Sequence, residues 1–332
     1  MRATVRGSAL KSCFIDMSTM LKKYDGARVF GIETTKDSIT FTVDTGMCYT
    51  RTIPIVTDNE AVNMSMTVLF ADISHFIPAK ADITLDITQY YISILTEKST
   101  ITLQIGESVV APYVRRHGKL IDLDYSKIRS AQKIFSMTSD LQKAYGRDFA
   151  INMYGDHALL KSPTLWIRTK SQGLTCVLSL DQLKGVVTFQ PDFVEESERL
   201  EFCKGDAILS IPRIYPSEED KFMKHRETLK PLGVLDLTGV LKELMELKRA
   251  IGVGEAEIHI YQKGFSLNLS KNGVSLTESY GDLSEHQFSF RYMVDIFIMC
   301  LNILSEEYPV YVSGKEGLIC LENQDTSILI SV

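Results

Sequence analysis

The chain has 332 residues and a mass of 37.4 kDa, with 36 basic against 42 acidic side chains and a formal net charge of -6. That balance excludes a polycation that coats nucleic acid over its whole surface, so any such contact must come from a local face. A composition 45% hydrophobic and 23% charged belongs to a folded chain long enough for two or three domains, not to a disordered one.

One pattern recurs along the chain: a short strand, an amphipathic helix, then strands joined by tight turns. The first copy is expected to open at Ser12–Asp16, with a helix from Met17 to Tyr24 and strands at Val29–Thr34, Ser38–Asp44 and Cys48–Ile55. The second opens at Ser65–Phe70, with a short helix near Asp72–Ile77 stopped by Pro78 and strands at Ile83–Ile87, Tyr90–Thr96 and Thr100–Ile105. Gly106–Gly118 reads as a linker. The third copy runs from Lys119–Asp122 through a helix near Ser126–Thr138 to strands at Phe149–Tyr154, His157–Lys161 and Thr164–Thr169. The fourth has strand Thr175–Ser179, helix Leu180–Phe189 and strands Arg199–Cys203 and Ala207–Pro212.

The charged stretch Pro216–Lys230 reads as a second linker. The fifth copy has strand Gly233–Leu237, helix Thr238–Ile251 and strands Glu257–Gln262, Phe265–Ser270 and Val274–Tyr280, with the hairpin signal Asn272-Gly273 between the last two. The sixth has strand Gln287–Phe290, helix Arg291–Leu304 and strands Pro309–Ser313, Gly317–Glu322 and Thr326–Val332. Strands such as Ile39-Thr40-Phe41-Thr42-Val43 alternate apolar with polar, so each sheet has one dry face for helices to cover. Six copies and two linkers predict an α+β chain of three domains, 1–110, 111–216 and 217–332, each a doubled strand–helix–strands unit.

Signatures of catalysis are missing. There is no phosphate-cradling glycine loop and no nucleophile elbow. Gly252-Val253-Gly254 reads as a helix stop, Asp156-His157 as a turn between strands, and His259 as a strand residue facing water. The six cysteines (Cys13, Cys48, Cys176, Cys203, Cys300, Cys320) form no C-x-x-C pair and read as buried, reduced thiols. The longest apolar run, Ile296–Leu301, falls short of the roughly 20 residues that a membrane span needs, and the first residues hold no apolar signal core. These readings predict a non-enzyme without metal or cofactor, soluble, intracellular and in a reducing compartment, with no membrane partner.

Phe288-Ser289-Phe290-Arg291-Tyr292-Met293-Val294-Asp295, followed by Pro309-Val310-Tyr311-Val312 and Thr326-Ser327-Ile328-Leu329-Ile330, resembles the last half-domain of the bacterial and phage β-type sliding clamps. Val177-Leu178-Ser179-Leu180-Asp181-Gln182-Leu183 resembles their middle domain. The architecture matches over nearly the full length and the residues over these stretches only. The chain departs at Ile330-Ser331-Val332, where the family commonly ends in a Met-Pro-Met type tail. The resemblance implies a phage or otherwise divergent processivity factor for DNA replication. It would form a homodimeric ring around duplex DNA, helices inside and sheets outside, with no base readout and no catalysis. A viral structural or assembly protein built from duplicated β-rich units is the alternative.

On this reading the cations that face DNA are Lys22 and Lys23 of the first helix, Arg28, Lys80, Arg129 and Lys133 of the third, Lys184 of the fourth, and Lys242, Lys248 and Arg249 of the fifth. The sixth helix offers almost nothing to phosphate beyond Arg291. The resemblance also implies a groove for short hydrophobic peptides of the polymerase and the clamp loader. Its wall would comprise Pro163, Leu165, Trp166, Ile214, Tyr215, Ile328, Ile330 and Val332, with Trp166 as an aromatic anchor.

Overall fold

A computed structural model describes residues 1–21, 28–57, 64–105, 110, 117–146, 148–216, 221–251, 254–271, 274–304 and 308–332. The chain forms two compact units: Met1–Leu123 with Lys184–Arg213, and Asp124–Leu183 with Ile214–Val332.

The first unit begins with β1 (Arg2–Arg6), α1 (Gly7–Leu21), β2 (Val29–Thr34), β3 (Ser38–Asp44), β4 (Cys48–Pro54), β5 (Val56–Thr57) and β6 (Met64–Leu69). A 3₁₀ turn at Ser74–Phe76 leads to β7 (Asp82–Ile87), β8 (Tyr91–Leu95), β9 (Thr100–Gln104) and β10 (Lys119–Ile121). The second unit takes over with α2 (Tyr125–Ser136), α3 (Ser139–Ala144), β11 (Ile151–Tyr154), β12 (His157–Lys161), β13 (Leu165–Lys170) and β14 (Thr175–Leu178). Helix α4 (Leu180–Phe189) carries the chain back to the first unit for β15 (Phe193–Glu196), β16 (Arg199–Lys204) and β17 (Ala207–Pro212). The rest belongs to the second unit: α5 (Phe222–Arg226), β18 (Lys230–Leu235), α6 (Val240–Ile251), β19 (Glu255–Lys271), β20 (Val274–Met293), α7 (Val294–Leu304), β21 (Val310–Lys315), β22 (Leu318–Glu322) and β23 (Thr326–Ser331).

The first unit holds a sheet in the order β5-β1-β7-β8-β9 and an eight-stranded one in the order β10-β15-β16-β17-β4-β3-β2-β6. The second holds an eight-stranded sheet, β14-β11-β12-β13-β23-β22-β21-β18, beside the β19–β20 hairpin. Both eight-stranded sheets join strands far apart in sequence. Antiparallel pairing of β17 with β4 (Ala207↔Arg51) makes one continuous, and β13 with β23 (Trp166↔Leu329) makes the other. The first strand of each expected copy also crosses over: β1 pairs with β7, and β6 with β2.

Period decides which faces are buried. In β3, Ile39, Phe41 and Val43 are buried while Thr40 faces out, its hydroxyl paired with that of Thr52 at 3.0 Å. Helix α1 covers this dry face. The Phe14 ring stands edge-on to Phe30 at 5.8 Å and to Phe41 at 6.1 Å, and stacks on Phe70 at 6.2 Å. Each such fully buried side chain contributes about 1.5–3 kcal/mol. A polar brace links the same helix to β4: the Tyr49 hydroxyl donates to Asp16 at 2.9 Å, and Arg51 donates to Asp16 and Ser12. Burial pushes the Tyr49 phenol and the Cys13 thiol well above their ordinary values. All six cysteines are buried, as the sequence predicts, and no disulfide joins any two of them.

Several expectations are corrected. Ser12–Asp16 is not the opening strand: it lies inside α1, because Leu10, Cys13, Phe14, Met17, Met20 and Leu21 recur at helical spacing on the buried side. The opening strand is β1, where Ala3 and Val5 alternate with exposed or half-exposed neighbours. The third helix ends at Ser136 as α2, and α3 and β15 lie in stretches to which the sequence assigned no element. Arg291 belongs to β20 and not to a helix, since Phe290 and Tyr292 alternate with it on the buried side and it pairs opposite Glu257. The four strands expected between residues 257 and 290 merge into the long β19–β20 hairpin, with register shifts between Ile260 and Lys263. The Asn272-Gly273 turn and most of the first linker lie outside the described residues. The second linker contains α5.

Candidate nucleic-acid and peptide interfaces

The second unit builds its helical layer on one face of its eight-stranded sheet. Helix α2 packs on β13, α7 on β22 and β23, and α6 against α7. Asp124 caps α2 by accepting from the backbone amides of Ser126 at 3.1 Å and Lys127 at 3.3 Å. Ile128, Ala131 and Phe135 point into the core, which leaves Arg129 and Lys133, one turn apart, exposed on the opposite side. Lys127 is tied to Gln172 at 2.6 Å. On α6, Leu241 and Leu244 are buried, while Lys242 and Arg249 are exposed beside Glu243 and Glu246. Lys248 is half-buried. The outer face of α6 is therefore of mixed sign, and α2 carries the cleaner cationic stripe.

In the first unit Arg28 and Lys80 are exposed and Lys184 is half-buried. Lys22 and Lys23 lie outside the described residues. Helix α7 buries eight of its residues, and Asn302, one of its few polar side chains, turns inward to donate to the Met137 sulfur at 3.9 Å. It presents almost nothing to an anion.

The expected groove residues divide by strand parity. On β13 and β23, Leu165, Ile167, Ile328 and Ile330 are fully buried on the helix-covered face. Leu165, Ile328 and Ile330 thus back the sheet and do not reach the surface. Pro163 and Val332 are exposed, as are Ile214 and Tyr215 at 59% and 58% of their full accessibility. Trp166, opposite Leu329, emerges on the other face. Its ring is flanked by Lys161, whose Nζ lies 4.5 Å from the centroid, and by the His225 ring edge-on at 5.4 Å.

Beside Trp166 a second apolar cluster fills that outer face. Leu159, Cys320 and Leu329 from the sheet enclose Phe222 of α5, with Tyr154, Met223, Leu229 and Leu318 around them. Arg226 of α5 forms a two-pronged pair with Glu322 at 2.6 and 2.7 Å, and this bonding raises the guanidinium pKa further above its ordinary value. Next to α5 lies a cavity of about 540 Å³, lined by Arg168, Met223, Arg226, Tyr308, Tyr311 and Ser327. None of Phe222, Arg226 or Tyr308 was marked by the sequence, and Leu329 only as part of the final strand. The alternation that buries Ile328 and Ile330 was the available signal for Leu329.

The histidines singled out in the sequence are held by local hydrogen bonds. The His157 ring meets Asp156 at 2.6 Å in the turn between β11 and β12, where Gly155 supplies φ +93°, so the turn expected there is present. His259 does not simply face water: Asn268 bonds its Nε2 at 2.8 Å and Ser289 its Nδ1 at 2.6 Å. Among the described residues no three His, Cys, Asp or Glu side chains group to hold a metal ion, and no helix is long and apolar enough to cross a membrane.

No protein-family model and no curated protein matches the sequence. Solved structures do match. The chain is similar to the DNA polymerase III β subunit of Pseudomonas aeruginosa (TM-score 0.78, 12% identity, 100% of this chain and 99% of that one). The β subunit of Caulobacter crescentus polymerase III superposes with the same TM-score, 0.78, and 12% identity, over 100% and 99% of the two chains. The Helicobacter pylori β clamp bound to a DNA ligase peptide gives 0.71 and 12%, again over 100% and 99%. The likeness runs from end to end of both chains while the residues have almost wholly changed: this chain has the fold of the bacterial β sliding clamp.

Proposed function

We propose that this chain is a DNA sliding clamp, a processivity factor whose work is topological and not catalytic. Two copies would join head to tail into a ring around duplex DNA, three domains each (1–110, 111–216 and 217–332), with helices toward the DNA and sheets outward. The observation that carries this reading is the end-to-end likeness to β subunits, 100% of this chain against 99% of theirs at a TM-score of 0.78. No observation favours the structural-protein alternative.

The physical requirement on such a ring is attraction without recognition. A protein of net charge -6 repels duplex DNA from most of its surface, so cations must be concentrated where the duplex runs. Arg129 and Lys133 on α2, Lys242, Lys248 and Arg249 on α6, and Lys184, Arg28 and Lys80 in the first unit are the side chains we assign to phosphate, with Lys22 and Lys23 from the sequence. Long, flexible cations on helix surfaces read charge and not bases, which permits sliding. A partner tethered to the ring is held near the template at high effective concentration, which is the source of processivity. The surface around Trp166, Pro163, Ile214, Tyr215 and Val332 is the peptide groove for polymerase and loader, in keeping with the ligase peptide on the H. pylori clamp.

Loading tests the reading. With a clamp loader, the protein should be retained on nicked circular DNA, as a particle of two chains, and should be released when that DNA is linearised. Retention that survives linearisation, or a particle of one chain, would refute it.

A further inference from the structure

On the face of the second unit's sheet opposite α2 and α7, one row of side chains crosses four strands. Arg168 of β13 stands opposite Ser327 of β23, Ser327 opposite Glu322 of β22, and Glu322 opposite Tyr311 of β21. Their strand neighbours Ile167, Ile328, Leu321 and Val310 are fully buried on the other face, so alternation fixes where the row points. Helix α5 is a fixed wall along one side. Phe222 anchors it in the core, and Arg226 locks it to Glu322 through Nε at 2.6 Å and Nη2 at 2.7 Å. Both Glu322 oxygens are thereby engaged, and Oε2 also accepts from Ser327 at 3.4 Å. Tyr308 and Tyr311, 40% and 52% exposed, complete the lining. The cavity between these groups measures about 540 Å³, within the usual range for ligand sites. Of the described residues that line it, none is among those assigned above to the peptide groove.

We infer that this cavity binds an acidic side chain of a partner protein, presented on a short extended peptide next to an apolar or aromatic residue. Charge decides the sign of the ligand. The lining holds two guanidinium groups against one carboxylate, and that carboxylate is already paired with Arg226. One incoming carboxylate balances the excess, whereas a phosphate monoester, at about -1.5 to -2, would leave surplus negative charge beside Glu322. The Arg226 pair uses Nε and Nη2, which leaves Nη1 as a further donor on the cavity wall. Arginine and tyrosine are the residue types that recognise acidic motifs and anchor interfaces, and Tyr308 and Tyr311 each offer an apolar ring with a polar tip. The sheet sets the length of the ligand. Three strand spacings of about 4.8 Å put Arg168 roughly 14 Å from Tyr311, a span that an extended peptide covers in about four or five residues. The row stands on paired strands, so the site is formed before the ligand arrives. A second cavity, also of about 540 Å³, continues past Tyr311 and Glu322 to Lys263, where a further acidic residue of the same peptide meets a cation. The site is independent of DNA, and a partner using it would gain avidity from a second linked contact on this unit.

The probe is a fluorescein-labelled hexapeptide, Gly-Asp-Phe-Asp-Leu-Gly, blocked at both ends, and fluorescence anisotropy with the full-length chain reads its binding at low salt. It should saturate with a Kd below about 1 mM. A counterpart with asparagine for both aspartates should bind at least about tenfold more weakly, and R168A and Y311S should each cost roughly fivefold or more. Both positions lie on the face away from the helical core, so circular dichroism should not change. Arg168→Lys, which keeps the charge and loses the fork, should recover part of the loss. Rising salt should weaken the aspartate peptide and not the asparagine one. The inference is overturned if the aspartate peptide does not saturate, if the two peptides bind alike, or if neither substitution weakens binding. It is also overturned if a six-nucleotide oligothymidylate displaces the probe at a lower concentration than unlabelled peptide does, which would assign the cavity to nucleic acid. The measurement uses neither duplex DNA nor a clamp loader. Loading without peptide binding therefore sinks this site alone, and peptide binding without loading sinks the ring alone.

Discussion

Single positions explain several of the chain's choices. Gly233 sits at a register shift in β18, where a Cβ would lie 2.6 Å from the Gln262 carbonyl oxygen and 2.7 Å from that of Tyr261. Both are backbone atoms of β19, so no rotamer change relieves the clash. Gly233→Ala should therefore destabilise the second unit by about 1–3 kcal/mol, read as a lowered denaturation midpoint with an unchanged slope. Trp166 shows a different residue-scale effect: its own strand neighbours, Leu165 and Ile167, are buried core, and parity alone brings it to the opposite face.

At the scale of elements, capping and register matter most. The Ser126 hydroxyl bond, with the Lys127 amide, holds the Asp124 carboxyl below the usual carboxylate range at the start of α2. A depressed folded-state pKa means that this contribution is complete above the unfolded value of about 3.9 and is lost as pH falls through the folded one. Asp124→Ala should lower the thermal midpoint by a few degrees near neutral pH, while Asp124→Asn, a cap without a charge to titrate, should flatten the acid limb of the stability profile. Helix α7 is the opposite kind of element, apolar all round except for a narrow stripe. It is a core helix with α6 laid against it, which accounts for its lack of cations.

For the whole molecule the question is where charge sits. A net charge of -6 leaves any attraction for a polyanion to local stripes, and the exposed pair Arg129 and Lys133 on α2 has no acidic residue between its members. Reversal of both to glutamate should weaken DNA association several-fold and lower the steepness of its salt dependence by roughly two phosphate contacts, with the circular dichroism unchanged. The same change at Lys242 and Arg249 should act less, because Glu243 and Glu246 already offset them on that face. Equal losses at the two sites would show that the mixed face of α6 is as important as α2.

Much of this architecture was legible in the sequence, because alternation and helical spacing are local. Val29–Thr34, Ser38–Asp44, Leu180–Phe189 and Ala207–Pro212 fall where their patterns put them. The failures are also local in cause: Cys13-Phe14-Ile15 is apolar enough for a strand or a buried helix, and only the partners on β2 and β3 choose between them. The candidate site was less legible. The lysines and arginines of α2 and α6 could be assigned to outer faces from spacing, but not which of them would have glutamates for company in space. The apolar cluster beside Trp166 was out of reach, since Leu159, Phe222 and Leu329 come together only when β13 pairs with β23 and α5 lies down on the sheet. The sequence by itself determined the repeated unit, most of the element types and the sidedness of strands such as β3, all set by neighbours within about ten residues. The pairing of distant strands into continuous sheets, and the covering of Trp166 by the chain's own turn, depend on contacts across tens to hundreds of residues. Those were decided by the tertiary structure alone.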